Sequence, residues 1–522
     1  MIFQIQSFRQ AAFWATAINA FSQGLALVFS MVMAAVFGAQ ESTDIVYYCL
    51  GVFALLAGIS QSASVGVLIP ETMRRRHQTG DLDAMAFINR FLVLMGIPIV
   101  VLAGILLWKP ISALALVSRF SPEALSNHSR LLVWLFLSLP LQIIADLLLN
   151  ILVSYRFLAL PATLSCLSRS INILFACLFH RKWGVEALAM GLAVGYAFQV
   201  GVNLLLLVRV IGWRFTVWRT RVGRNTFRNL AWVEVGTMAV ILSSYLPLFL
   251  FSGFGAGALT ALNYARRMCA MPAELLGSQI SSVAAIKLNE QAALNDLGGM
   301  ACSFDRIQRL LILTLTPLAV VLALTGIPLV QILFGRGAFG AAAVNDTAWL
   351  FSLLILTLPL EALNSVVARV NIARQEVAFG TKWQIYGNVL NAALVYGFVH
   401  QMGAMGFPVG TFVYFVVYLT AFARPFSRKM PPLILFPTLK RLGRTMAGCG
   451  VAAAVAWSAF QWLLPLLRGP WIQGGVLPGL FCIVYVGVLR YVPPDREGRD
   501  EGIALLRAAI RHMSSKLKFR EC

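Results

Sequence analysis

The sequence predicts an all-α polytopic membrane protein with about fourteen transmembrane helices. Of its 522 residues, 59% are hydrophobic and only 12% are charged, and the mean hydropathy is +0.78. A soluble protein of this length needs a far more polar surface. The apolar segments are long and continuous rather than alternating runs of about ten residues, which excludes a transmembrane β-barrel.

The helices are predicted from windows of about twenty apolar residues, the length that crosses a bilayer. The first window is too long for the core of a signal peptide, so we expect it to remain as a span. The windows are 11–37, 46–69, 91–117, 131–154, 157–179, 186–208, 232–254, 258–286, 308–334, 347–370, 381–400, 403–423, 441–465 and 472–492.

The basic residues predict how these helices are oriented. When the loops are assigned to alternate sides, roughly 32 of the 42 lysines and arginines fall on one side and roughly seven on the other. Only Arg169, Arg266 and Arg267 lie inside spans. Because basic residues concentrate in cytoplasmic loops, we expect both termini in the cytoplasm, and an even number of helices agrees with this.

The net charge of +21 does not indicate a nucleic-acid partner, because the chain has no soluble basic domain with interleaved aromatic residues. The polar tail 493–522 contains ALLRAAIRHM, which has the pattern of an amphipathic basic helix. This pattern predicts that the tail contacts anionic lipids of the inner leaflet.

An internal repeat predicts two related lobes. FGAQESTDIVYY (37–48) and FGAGALTALNYA (254–265) share F-G-A, a threonine and a tyrosine at an offset of 217. Both follow the first helix of a six-helix set that starts in the cytoplasm, so the repeat is parallel. The expected parts are an N-terminal lobe of spans 1–6 (1–210), a basic cytoplasmic linker (211–231), a C-terminal lobe of spans 7–12 (232–424), spans 13 and 14 (425–492) and the basic tail (493–522).

Signatures of catalysis and of metal binding are missing from the sequence. No Walker A, HExxH or GxSxG pattern occurs. The eight cysteines form no CxxC pair and no spacing typical of zinc or haem. We therefore expect a protein that is not an enzyme, with no catalytic residue, no cofactor and no metal.

The stretch LNYARRMCAMPAELLG (262–277) places charges inside an apolar span. A charge at the bilayer centre costs at least about 2.5 kcal/mol, so such residues are functional candidates. Arg266 and Arg267 point about 100° apart on a helix, so one can face a central cavity while the other packs between helices or reaches an interface. Arg267 and Glu274 are about two turns apart, too far for a direct pair, which favours an anionic ligand for Arg267.

A structural role for Arg267, paired with Asp44, Asp146 or Glu234, remains open. For Arg169, Asp146 and Glu361 we favour structural roles. Prolines inside spans can kink their helices, and Pro272 lies beside the two arginines.

Several stretches resemble motifs of the MurJ/MviN-type lipid II flippases, which belong to the multidrug/oligosaccharidyl-lipid/polysaccharide exporter superfamily. NYARRMCAMPAELLG is similar to the family's Y-A-x-R-L-x-x-x-P-x-G-x-x-G in span 8. FGAQESTD resembles F-G-A-x-x-x-T-D after span 1, and ILFGRGAFG (332–340) resembles L-F-x-R-G-x-F. Topology and motif order match over about residues 10–490.

The chain departs from the family in span 1, where S-R-x-x-G-x-x-R-D is usual and this sequence has Gln23, Phe29 and Ser30 at the charged positions. An arginine expected in span 2 is replaced by Ala57, and the first glycine after the motif proline is replaced by Glu274. Most of the family's cationic cavity is therefore absent from the first lobe.

The resemblance implies a V-shaped fold of two six-helix lobes plus two C-terminal helices. It further implies a flippase that turns an undecaprenyl-pyrophosphate-linked glycan, lipid II or a related repeat unit, from the inner to the outer leaflet by alternating access, for peptidoglycan or exported polysaccharide. By position, Arg267 matches the family's cavity arginine and Asp44 its aspartate after span 1. The candidate substrate-binding residues are Arg267, Arg266, Asp44, Gln23, Gln61, Asn263 and Arg169, and the candidate gating or structural residues are Pro272, Glu274, Arg336, Gly337 and Phe339.

Two other function classes remain open. One is an ion-coupled small-molecule antiporter of the same superfamily, with Asp146, Glu234 or Glu361 as the carboxylate that binds cations. The other is a non-transporting scaffold that recruits partners through its basic loops and tail. The expected location is the bacterial cytoplasmic (inner) membrane, and the expected state is a monomer with cell-wall or polysaccharide synthesis enzymes as further partners.

Overall fold

A computed structural model describes residues 8–155, 157, 159–216, 218, 224–463 and 470–491, and every regular element within them is helical. The all-α prediction is therefore confirmed for this part of the chain. Its α-helices are α1 (Phe8–Phe37), α2 (Glu41–Ala63), α3 (Ile69–Gln78), α4 (Asp81–Trp108), α5 (Pro110–Val117), α6 (Pro122–Asn127), α7 (Ser129–Ser154), α8 (Ala159–Trp183), α9 (Glu186–Val210), α10 (Arg224–Phe251), α11 (Ala258–Pro272), α12 (Ser278–Ala293), α13 (Leu297–Leu324), α14 (Gly326–Phe334), α15 (Ala341–Leu354), α16 (Leu358–Ala373), α17 (Val377–Met402), α18 (Gly406–Lys429), α19 (Phe436–Leu463) and α20 (Pro470–Tyr491).

Within the described ranges, 10 helices are long and apolar enough to cross a membrane. One of these segments, Ala378–Lys429, contains the consecutive helices α17 and α18. Two shorter apolar helices, Phe21–Phe37 and Gly475–Tyr485, accompany them. The polytopic class is confirmed, and the count of fourteen spans stays a prediction. The basic tail 493–522 lies outside the described residues.

The chain forms two compact units. The first runs from the start of the chain to Tyr264 and also includes Phe334–Ala343. The second consists of Ala265–Leu333 and the chain from Val344 onward. The lobes and the linker expected from the internal repeat stay predictions.

In the first unit, α9 packs against both α7 and α8. Gly191 and Gly195 of α9 face α8 closely: a Cβ on Gly195 would lie 2.9 Å from the carbonyl oxygen of Ser168. A Cβ on Gly191 would lie 2.7 Å from Oδ1 of Asn172. Glycines four residues apart allow two helix backbones in a membrane to approach each other. These two glycines therefore bring a polar face of α8 against α9.

In the second unit, α17 and α18 pack as neighbours, and α13 packs against α16 and α19. Asp305 of α13 accepts a hydrogen bond from Arg309 Nη2 at 2.7 Å and another from Arg441 of α19. The last two helices share a small core in which Cys449 and Ala452 of α19 meet aromatic side chains of α20. An ion pair at one place and small-residue packing at another thus attach α19 to the unit.

We expect Gly195→Leu to lower the midpoint of thermal unfolding, because forcing a side chain between α8 and α9 costs about 1–3 kcal/mol. The measurement is thermal unfolding of the purified protein in detergent. Gly201→Leu is the matched control, since a Cβ on this glycine of the same helix has no heavy atom within 4 Å. Equal midpoints for the two variants would contradict the packing described for α9.

Candidate functional site

The two repeat segments meet in the first unit, where α2 and α11 begin. The hydroxyl of Tyr47 donates a hydrogen bond to that of Tyr264 at 3.2 Å, and their rings make an edge contact with centroids 5.5 Å apart. The hydroxyl oxygens of Thr260 and Thr43 lie within hydrogen-bond distance, 3.1 Å apart. Both pairs are separated by 217 residues, the offset of the repeat. Equivalent positions of the two segments therefore contact each other.

Asp44, a candidate for substrate binding, caps the start of α11. One carboxylate oxygen accepts a hydrogen bond from the backbone N–H of Gly257 at 2.7 Å. The other accepts from the N–H of Thr260 at 2.7 Å and from its hydroxyl at 2.5 Å. The side chain is buried, with an exposed fraction of 4%. A carboxylate at this place satisfies amides that have no partner within the helix and complements the positive end of the helix dipole.

The two helix starts are capped differently. α2 carries its own cap, because Gln40 and Thr43 form a capping box in which the Gln40 N–H donates to Thr43 Oγ1 at 2.9 Å. α11 receives its cap from Asp44 on α2. The position of the second segment that corresponds to Asp44 is Ala261, which has no polar side chain. The capping contact is therefore asymmetric.

The motif FGRGAFG packs against the end of α1 and the start of α11, and its residues belong to the first unit. Gly337 has a φ of +64, and a Cβ there would lie 2.2 Å from the carbonyl oxygen of Ala35. The next N–H, of Ala338, donates to the same oxygen at 2.9 Å. Phe334 stacks on Tyr264 at 4.8 Å, and the buried Phe339 contacts the edge of that ring at 5.6 Å.

This arrangement explains the motif: glycine permits the close backbone approach, and the two phenylalanines enclose Tyr264. Arg336 is exposed. The predicted gating or structural roles of Arg336, Gly337 and Phe339 stay predictions.

The other candidates of the first unit occupy separate places. Gln61 accepts a hydrogen bond from Asn150 Nδ2 of α7 at 2.9 Å. Arg169, on α8, is exposed, and its Nη1 donates to the carbonyl and hydroxyl oxygens of Ser22 on α1 at 3.3 and 3.2 Å. Gln23 and Asn263 are half-buried. None of the bonds just described joins Asp44, Gln61 and Arg169 to one another.

The candidates of the second unit lie on α11 and just after it. The guanidinium of Arg266 lies over the ring of Phe407 of α18, 4.7 Å from its centroid. This cation–π contact places Arg266 between helices. Arg267 and Glu274 are half-buried, and both interact with other groups of the chain.

Pro272 ends α11 and is followed by a π-helical turn, Ala273–Gly277, that contains Glu274. Proline lacks the N–H that would continue the α-helical pattern, which explains the break. A second π-helical turn, Ser64–Leu68, separates α2 from α3. Such turns are frequent at functional positions in helices.

Thr260 and Tyr264 are not among the predicted site residues, although both contact residues of the first repeat segment. The internal repeat could have identified both residues, because its constant offset relates Thr260 to Thr43 and Tyr264 to Tyr47. At the axis of a parallel repeat, equivalent residues are the ones that meet.

Comparison with known proteins gives consistent results. A family model described as "Lipid II flippase MurJ" matches residues 2–224 and 187–481. The lipid II flippase MurJ of Burkholderia cenocepacia is 26% identical over 396 residues, which cover 72% of this chain and 75% of that protein. A structure of a lipid II flippase MurJ in an inward closed conformation is similar at a TM-score of 0.72 and 16% identity, covering 91% of this chain and 98% of the other.

A transporter of the multidrug resistance MATE family, in an inward-facing conformation, is similar at a TM-score of 0.64 and 16% identity, covering 78% of this chain and 95% of the other. At this identity the likeness shows a shared fold.

We expect Asp44→Asn to destabilise the protein by about 1.5–3 kcal/mol, the net contribution of a hydrogen bond to a charged group. Each carboxylate oxygen accepts a backbone N–H, so the substituted NH₂ group would face a donor. Thermal unfolding of the purified protein measures the change. Glu41→Gln is the control, because Glu41 lies exposed in the same helical turn. An unchanged midpoint for Asp44→Asn would show that the cap contributes nothing.

Proposed function

The chain belongs to the lipid II flippase MurJ family, and on this basis we propose that it moves an undecaprenyl-pyrophosphate-linked glycan precursor across the bacterial cytoplasmic membrane. The cargo is lipid II or a related lipid-linked repeat unit, which passes from the inner to the outer leaflet by alternating access. The observation that carries the proposal is the family match, which covers residues 2–224 and 187–481. The Burkholderia cenocepacia relative is itself named a lipid II flippase.

Arg267 is proposed to bind the pyrophosphate. An anionic head group inside a membrane needs a fixed positive charge, and the planar fork of arginine suits phosphate oxygens. Of the two adjacent arginines, Arg266 is held against the ring of Phe407. Arg267 points about 100° away from it on α11. The interactions that Arg267 makes within the chain would then be exchanged for contacts with phosphate when cargo binds.

Asp44 is proposed to act as a positioning residue rather than as a ligand of the cargo. Its two oxygens accept three hydrogen bonds from Gly257 and Thr260. This leaves little acceptor capacity for a substrate, and a carboxylate would repel a pyrophosphate. Its role is to hold the start of α11, the helix that carries Arg267 further along.

The membrane potential favours the proposed direction of transport. Moving a negative charge outward through an inside-negative potential releases about 2.3 kcal/mol per charge and per 100 mV. A pyrophosphate head group carries more than one such charge.

We further propose that both termini face the cytoplasm, that the tail 493–522 contacts anionic inner-leaflet lipids, and that the chain works as a monomer without a catalytic step. Cell-wall or polysaccharide synthesis enzymes would make the cargo and use it after transport. The antiporter alternative is supported by the fold that the chain shares with a MATE transporter. A shared fold does not specify the cargo.

We expect Arg267→Ala to abolish rescue of a strain depleted of its lipid II flippase, whereas the unmodified protein restores growth. Losing a charge-assisted hydrogen bond costs about 1.5–3 kcal/mol, or roughly 10- to 150-fold in affinity. Arg267→Lys should rescue in part, because it keeps the charge and loses the fork. Arg209→Ala, at an exposed arginine in the last turn of α9, is the control. Full rescue by Arg267→Ala at equal expression would refute the assigned role.

The nature of the cargo is tested by deletion of the gene in its own bacterium. Accumulation of lipid II on the inner leaflet, scored by its accessibility to a membrane-impermeant probe, is expected if the cargo is the peptidoglycan precursor. Normal lipid II transport together with loss of exported polysaccharide would instead assign the repeat unit.

A further inference from the structure

The second unit contains a cleft of about 260 Å³ among α16, α17 and α18. Asn364 and Asn371 line it from α16, and their spacing of seven residues places both on one face of that helix. Thr381 and Gln384 line it from α17, and Tyr418 lines it from α18. About 10–15 Å³ of such volume holds one water molecule, so the cleft has room for a group of several heavy atoms.

Part of the lining is buried and part of it is exposed. Tyr418 and Phe422 of α18 have exposed fractions of 7% and 1%, and their rings stack with centroids 5.8 Å apart. Asn371 is buried as well, with an exposed fraction of 6%. Ala368 of α16 and Gln384 of α17 are exposed. A ligand can therefore enter between α16 and α17 and reach Asn371.

The side chain of Asn371 presents an acceptor that receives no hydrogen bond. Its Oδ1 is buried, and the described part of the chain supplies no donor for it. Gly380 of α17 leaves the space for this side chain, since a Cβ there would lie 3.1 Å from Asn371 Nδ2. Buried polar atoms nearly always have a partner, so an orphaned acceptor that lines a cleft points to a missing donor.

The lining also restricts which donor fits. Among the described residues, those that line the cleft include no charged side chain. A cation inside it would lack a carboxylate to neutralise it, and a phosphate would lack a basic group. Hydroxyl groups are neutral donors and acceptors, and they pair with amides and with other hydroxyls. The cleft therefore suits a neutral, hydroxylated group.

The surface beside the cleft indicates what this group is attached to. Arg369 and Lys382 are exposed, and each directly follows a lining residue in the sequence. Tyr386 and Val389 of α17 are exposed at 64% and 57% and belong to Ala378–Lys429, a segment apolar and long enough to cross a membrane. Basic groups next to an apolar surface suit a phosphate that is joined to a hydrocarbon chain.

We propose that the cleft binds the hydroxylated head group of an anionic lipid. Oδ1 of Asn371 accepts a hydrogen bond from one of its hydroxyls, and Arg369 and Lys382 lie on the side of its phosphate. Two lipids share this chemistry: phosphatidylglycerol of the bilayer and the sugar-bearing cargo. Only the second rests on the proposed function, in which the pyrophosphate is assigned to Arg267, so phosphatidylglycerol is the first lipid to test.

The test is thermal unfolding of the purified protein in detergent micelles that contain dioleoyl phosphatidylglycerol at increasing mole fraction. Dioleoyl phosphatidylmethanol is the matched lipid, because it has the same chains and the same phosphodiester charge and lacks the hydroxyls. A ligand that binds the folded state raises the unfolding midpoint in a saturable way. We expect half-saturation at a mole fraction at least about fivefold lower for phosphatidylglycerol, the lower limit for leaving a buried acceptor unpaired.

Asn371→Leu should remove this difference by raising the half-saturating mole fraction of phosphatidylglycerol to that of phosphatidylmethanol. Ala368→Phe, which fills the cleft from an exposed position, should also remove it and provides the comparison if Asn371→Leu does not fold. Asn388→Leu is the matched control and should keep the difference. Asn388 is a half-buried asparagine of α17 that does not line the cleft.

A second pair of lipids distinguishes the two sources. It consists of undecaprenyl pyrophosphate that carries N-acetylglucosamine and of the methyl ester of undecaprenyl pyrophosphate, which lacks the sugar. A difference within this pair alone, again lost in Asn371→Leu, would assign the cleft to the cargo.

Equal half-saturation within both pairs would overturn the proposal. A difference that survives in both Asn371→Leu and Ala368→Phe would also overturn it, because the head group would then bind elsewhere. The unfolding assay involves no transport, so its failure is separate from a failure of the rescue experiment that tests the proposed function.

Discussion

A single buried carboxylate fixes the start of α11, and the surrounding contacts depend on it. A helix begins with amides that lack partners inside the helix, and at a buried helix start water does not satisfy them. Asp44 supplies two of those partners through Gly257 and Thr260. Because Asp44 lies in the first turn of α2, its side chain connects the start of α11 to the start of α2. Tyr264, one turn further along α11, contacts Tyr47, Phe334 and Phe339.

The helical class could be predicted from hydropathy because backbone groups in a bilayer must be satisfied within their own segment. The separation of Arg266 from Arg267 could likewise be predicted, since helix geometry alone points neighbours in different directions. The contact of Arg266 with Phe407 could not be predicted, because no local pattern relates residues so far apart in the sequence. The π-helical turn after Pro272 also escaped prediction: proline indicates a break and does not specify its form.

The partners of polar side chains were the least predictable feature of the candidate site. The sequence identified Asp44 and Arg169 as notable but not what they touch, Gly257 and Thr260 in one case and Ser22 in the other. Hydrogen-bond partners depend on how helices cross, which periodicity does not encode. Internal repetition is the exception, since the offset that relates Tyr47 to Tyr264 also names them as neighbours. A glycine at position 337 indicates that another backbone segment approaches closely there. The sequence does not show that this segment is at Ala35.

The contact between equivalent tyrosines also bears on ancestry. Two identical residues that face each other are what the two-fold axis of a homodimer produces. Within one chain, such a contact is what duplication and fusion of a gene whose product paired with itself would leave. In a homodimer both copies carry the same residue, whereas this chain has Asp44 in one copy and Ala261 in the other. A duplicated and fused gene, unlike a homodimer, can change one copy and keep the other, and the one-sided cap of α11 is a difference of that kind.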